Sequence, residues 1–134
     1  MSLKLLLVRN DEIIMELPLS TEGWPQDTLR RELDAFEEEM ERFTKLFDAL
    51  SHRTRLKMVK RLFEQDDDSL GFTDFTRELG LNPKIVWQNT KKLCDGGIMR
   101  KGEDGKYCFS ETGKAQFLTV SLVLKHLQEI FENF

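Results

Sequence analysis

The chain is poor in the residues that carry most site chemistry: two cysteines, two histidines, one tyrosine and three prolines in 134 residues. Cys94 and Cys108 form no CxxC pair and no cluster with histidine, so neither a zinc knuckle nor a disulfide scaffold is expected. No apolar run approaches the roughly 20 residues of a membrane helix. The segment LKLLLV at 3–8 is too short for a secretory signal and lacks a small-residue cleavage site. Cytoplasmic residence without a membrane partner is the expectation. No Ser/His/Asp or Cys/His arrangement and no Gly-rich phosphate loop is visible. The expectation is therefore no enzyme, no catalytic residue and no cofactor. The carboxylates Glu37, Glu38, Glu39 and Glu41 read as a solvated helix face.

Positive charge is also short overall, with a net charge of -4. Its distribution is uneven. Residues 1–50 hold 6 basic and 12 acidic side chains, residues 51–101 hold 11 and 7, and residues 102–134 hold 3 and 5. A basic middle between acidic ends can still offer a phosphate-binding face.

Two apolar runs in LKLLLVRNDEIIMEL (3–17) flank Asn10-Asp11, which tolerate positive φ and predict a hairpin with a type I′ turn. Leu5, Leu7, Ile13, Met15 and Leu17 are expected on one face. Leu6, Val8 and Ile14 make the other face apolar too. Prolines at 18 and 25 mark a connector. A long helix is expected over 27–50, with Leu29, Leu33, Phe36, Met40, Phe43, Phe47 and Leu50 spaced alternately by four and three. Such a heptad seam fits a helix–helix interface, or a helix lying on its own domain's core. A last helix over 111–133 repeats the spacing with Phe117, Val120, Leu124, Leu127, Phe131 and Phe134, and Leu118, Leu122, Val123 and Ile130 widen the stripe, so contact with both its own domain and a partner is expected. Two such helices around a small basic region point to a symmetric homodimer.

Between them, Ser51 is the expected cap of a helix to about Glu64, with Leu56, Val59, Leu62 and Phe63 inward. Thr73 is the expected cap of a short helix over 74–79 that Gly80 stops. Asn82 caps a third helix over 83–95, with Pro83 at its first position. Two short helices joined by Gly80-Leu81-Asn82 make a helix-turn-helix. In the third helix Val86, Thr90 and Leu93 form an inner stripe, and Lys84, Trp87, Gln88 and Lys91 an outer one. Lysine can donate to guanine, and Gln88 or Asn89 can pair with adenine. Trp87 suits packing in an interface better than reading a base. Residues 98–101 and 106–109 around Gly102–Gly105 form a second hairpin, whose Arg100, Lys101 and Lys106 can reach phosphates. Glu103 and Asp104 at its tip disfavour deep minor-groove insertion.

LFDALSHRTRLKMVKRLF (46–63), LGLNPKIVWQNTKKLCDGGIMRK (79–101) and YCFSETGKA (107–115) resemble the ArsR-type, arsenical-repressor-like winged-helix regulators over about residues 43–134. The resemblance implies a dimer through the first and last helices. Trp87 and Thr90 depart from the family's usual small residue and leucine, and the hairpin of 1–17 lies outside its pattern. Many relatives sense metals through a helical cysteine pair or through His and carboxylates in the last helix. Here His126 and Glu129 form an HxxE, but the partner positions Gly113 and Ala115 cannot ligate through a side chain, so no metal is expected.

The combined expectation is a mainly α fold with small β elements (α+β). It comprises a hairpin and connector (1–25), a dimerisation helix (26–50), a winged helix-turn-helix (51–110) and a second dimerisation helix (111–134). The function expected is a sequence-specific DNA-binding regulator, a repressor, acting as a homodimer on a pseudo-palindromic operator. Double-stranded DNA would meet Lys84, Trp87, Gln88, Asn89 and Lys91. Ser51, Arg53, Thr73, Arg77, Lys92, Arg100, Lys101 and Lys106 would contact phosphates. The alternative is a protein-interaction module, which the overall acidity, Trp87 and the apolar hairpin favour.

Overall fold

The computed structural model describes residues 2–133, and is 61% helical with small antiparallel sheets. The chain falls into two compact units that divide after Glu41, inside the first long helix rather than before it.

In the first unit, β1 (Lys4–Arg9) and β2 (Glu12–Pro18) form the expected hairpin. Asn10 and Asp11 have φ of 51° and 66°, the left-handed pair that a type I′ turn needs. Pairing is Leu5 with Leu17 and Leu7 with Met15, but Val8 with Ile13, so Ile14 is a bulge. The extra residue carries Ile13 to the face of Leu6 and Val8, not to that of Leu7 and Met15 as the alternation predicted. Leu6, Leu7, Val8, Ile13, Ile14 and Met15 are all exposed. The Trp24 indole N–H donates to Pro18 O at 2.9 Å and closes the connector. Helix α1 (Gln26–Leu50) then begins, and Leu33, Phe36, Met40 and Phe47 of its apolar stripe are exposed, Leu33 to 59%.

The second unit holds the core. Ala49 and Leu50, at the end of α1, are buried with residues of α2 (Arg53–Phe63), α3 (Phe72–Leu79) and α4 (Pro83–Asp95). Met58, Val59, Leu62, Phe75, Val86, Leu93 and Ile98 are fully buried. Leu56, expected inward, is exposed, and Met58 takes the inner position instead. Strands β4 (Met99–Lys101) and β5 (Tyr107–Phe109) pair antiparallel. A third strand, β3 (Ser69–Leu70), pairs with β5. Two residues offer no alternation to read, so sequence reasoning missed it. The acidic turn before it is structured rather than merely solvated: Asp67 Oδ1 accepts from the Ser69 N–H at 3.3 Å, and Asp68 takes an ion pair from Lys114.

The last helix is interrupted. α5 (Gly113–Leu118) passes through a π-helical turn, Thr119–Val123, into α6 (Leu124–Glu132). Thr119 Oγ1 donates to Ala115 O at 2.7 Å and Ser121 Oγ to Phe117 O at 2.6 Å. Such hydroxyl back-bonding competes with the regular ladder and often bends a helix. The added residue turns the following stripe by about 100° relative to the preceding one. Phe117 and Val120, expected at a dimer seam, are therefore half-buried against the chain's own core, with the Phe117 ring 5.5 Å from that of Phe63. Leu124 and Phe131 remain exposed.

Candidate nucleic-acid interface

Helix α4 is set by local chemistry at both ends. Asn82 Oδ1 accepts from the Ile85 N–H at 2.9 Å, and Pro83 occupies the first turn, where its missing N–H costs nothing. Gly80 ends α3 with φ of 64°, a left-handed conformation that a side chain would strain. The connection Gly80-Leu81-Asn82 then leads into α4. Val86, Thr90 and Leu93 are buried, as their spacing predicted. Lys84, Trp87, Gln88 and Lys91 form an exposed outer face, and Trp87 is 57% exposed. The Lys91 Nζ lies 5.4 Å from the Trp87 ring centroid.

Several expected site residues have other employment. Asn89 is only 8% exposed, and its Oδ1 accepts from Arg55 Nη1 at 3.0 Å while its Nδ2 donates to Ile85 O at 2.9 Å. Both ends of the amide are used internally, which removes Asn89 as a base reader. Lys92 Nζ donates to Asp48 Oδ2 at 2.9 Å. Ser51 does not cap α2. Its hydroxyl donates to Asp48 O at 2.9 Å, and His52 is the cap, its Nδ1 accepting from the Thr54 N–H at 3.3 Å. Thr73 does not cap α3 either, because the helix starts one residue before it at Phe72. The cap position is Gly71, whose N–H donates to Asp74 Oδ2 at 2.8 Å. Arg77 is exposed but paired with Asp74 at 2.7 Å. Arg53 is exposed in the first turn of α2.

An open groove of about 690 Å³ separates the start of α2 from α4. His52, Thr54, Trp87, Gln88, Lys91 and Lys92 are among its walls. The α2 N-terminus and the ammonium groups favour anions there, while the Asp95 carboxylate in the same lining opposes them. Of the lining residues His52, Thr54 and Ile85, the sequence pointed to His52, as a side chain near phosphate or solvent, but not to Thr54 or Ile85.

On the other side of α4, the β4–β5 hairpin exposes Arg100, Lys101 and Lys106. The Gly102 N–H donates to Lys106 O at 2.7 Å, and Gly105 adopts φ of 82° to close the tip. Glu103 and Asp104 are exposed there, with Asp104 Oδ1 accepting from the Lys106 N–H at 3.0 Å. A smaller cleft of about 200 Å³ is lined by Trp87, Thr90, Lys91, Cys94, Lys101 and Tyr107. Lys101 Nζ stands 5.9 Å from the Tyr107 centroid. Burial pushes the Cys94 thiol above its usual pKa, so it is not poised as a thiolate nucleophile.

His126 Nδ1 and Glu129 Oε2 lie 3.5 Å apart on α6. Among the described residues no group of three or more His, Cys, Asp or Glu side chains converges on a metal-sized site. No helix among them is long and apolar enough to cross a membrane. The chain as a whole matches no protein-family model and no curated protein.

Proposed function

We propose that the chain is a winged helix-turn-helix regulator that binds double-stranded DNA as a homodimer and acts as a repressor by occupying its operator. The resemblance of residues 43–134 to ArsR-type winged-helix regulators supports this reading. The observation that carries it is the two-sided character of α4. Its inner stripe is buried, while Lys84, Trp87, Gln88 and Lys91 stand exposed together. A rigidly seated helix with a polar and basic outer face suits the major groove. Arg100, Lys101 and Lys106 on the neighbouring hairpin, and Arg53 with the α2 N-terminus, supply flanking phosphate contacts. Exposed Leu33 on α1 and Leu124 on α6 offer apolar surface to a second copy.

The test is a gel shift with genomic fragments at low and high salt, comparing the chain with Lys84→Ala/Lys91→Ala. Binding should weaken in the double variant, with a log–log salt slope shallower by about 0.9 for each phosphate no longer neutralised. Unchanged binding would remove α4 as the reading helix. A second reading, a protein-interaction module, is favoured by Trp87 and Ile85, both exposed beside the groove. It predicts no shift at any salt and a co-purifying protein partner.

A further inference from the structure

Arg55 is a buried cation at the junction of three helices, with a side chain 10% exposed. All three arms of its fork are used. Nε donates to Ala49 O at 2.9 Å, Nη2 to Asp48 O at 2.8 Å, and Nη1 to Asn89 Oδ1 at 3.0 Å. The first two acceptors are end-of-helix carbonyls of α1, which have no partner within their own helix. The third belongs to α4. Asn89 also donates its amide N–H to Ile85 O, a bond within α4 itself, so the link between helices is the Arg55–Oδ1 bond. Two further contacts fix the same pair of helices. Lys92 reaches Asp48 at 2.9 Å, and Gly96 lets α1 approach so closely that a Cβ there would stand 2.5 Å from Ala49 Cβ.

We infer that Arg55 is a positioning residue for DNA recognition: by bracketing the end of α1 and Asn89 it fixes the pitch of α4, and so the aim of Lys84, Trp87, Gln88 and Lys91. The inference rests on the DNA-binding reading of the outer face. A planar fork can span two carbonyls and an amide at once, which a lysine ammonium cannot do with the same geometry. A helix loosened at this joint keeps its charge but loses its aim. Affinity through phosphates then survives while base discrimination falls.

The experiment compares the full chain with Arg55→Lys, Asn89→Ala and Asn89→Asp. Each is measured on the DNA that the unaltered chain enriches from a random library and on a scrambled duplex, at a temperature where all four are folded. Arg55→Lys and Asn89→Ala are expected to lower the specific-to-scrambled affinity ratio about tenfold, spread over the whole site, with the salt slope unchanged. Asn89→Asp keeps an acceptor for Arg55 and is expected to retain the ratio. A retained ratio in Arg55→Lys and Asn89→Ala, or a loss confined to one base pair, overturns the positioning role. Amide hydrogen exchange without DNA supplies a second arm: exchange over residues 83–95 should rise in the first two variants and not in Asn89→Asp. No rise overturns the inference independently. If the unaltered chain enriches no sequence, the DNA-binding reading fails, and the exchange result still decides the joint.

Discussion

The Lys91 ammonium lies 5.4 Å from the centroid of the Trp87 indole, on the exposed side of α4. A cation over an aromatic face gains about 0.5–1 kcal/mol at an exposed site. The contact keeps a large apolar ring in a basic, solvent-facing position where it contributes nothing to the core. Removing the ring tests what that position is for. Trp87→Ala should change folding stability by no more than about 0.5 kcal/mol, while DNA affinity falls about tenfold, on the order of 1.4 kcal/mol. Thermal melting and fluorescence anisotropy check the two halves. A large loss of stability with unchanged affinity would make the ring structural.

The surface seams make a separate prediction about assembly. Leu33→Glu and Leu124→Glu each place a charge on an exposed apolar stripe. Each should shift sedimentation toward a lighter species at micromolar concentration, with helical content retained. A single, unaltered species across a hundredfold dilution of the parent chain and both variants would remove the homodimer.

Gly113 is required by space rather than by φ. An added Cβ would stand 2.1 Å from Ile98 O and 2.8 Å from Ser110 Oγ, where the β4–β5 strands meet α5. Gly113→Ala should destabilise by about 1–3 kcal/mol, because backbone must move. Phe75→Ala, which empties a fully buried site, should cost about 3–5 kcal/mol. Urea denaturation measures both, and a cost under about 0.5 kcal/mol for either would contradict this packing.

Asp48 carries a pH dependence. The Lys92 hydrogen bond, then the Lys92 charge, and more weakly the Arg55 charge hold its carboxyl below the usual carboxylate range, against the opposing effect of burial. A carboxylate with a lowered folded pKa stabilises above its unfolded pKa and loses that contribution as pH falls through the folded value. The melting difference between the parent and Asp48→Asn should therefore be largest near neutral pH and vanish in strong acid. Because the pair is exposed, salt should shrink it as well. A difference that grows toward acid would have the wrong sign.

Much of this was legible in the residues themselves. Asn10-Asp11 fixed a left-handed turn because few other residues tolerate positive φ. Gly80, Asn82 and Pro83 fixed the break between α3 and α4, because each acts on backbone within a few residues. The buried stripe Val86–Thr90–Leu93 and its exposed counterpart followed from helical period alone. These are local effects, decided over one or two turns of chain.

What escaped the sequence needed distant partners. Asn89 reads as an adenine-pairing side chain until Arg55, 34 residues away, takes its carbonyl oxygen. Lys92, read as a phosphate contact, is also the partner of Asp48, 44 residues away, in an exposed pair. The wide apolar stripe of the last helix predicts contact with both core and partner, but only the π-helical turn decides that Phe117 and Val120 meet the core while Leu124 stays exposed. The sequence by itself determined the order of helices and turns and the two-sided pattern of α4, because both are set over a few residues. The tertiary structure decided which side chains are buried or paired, because those contacts join residues far apart in the chain.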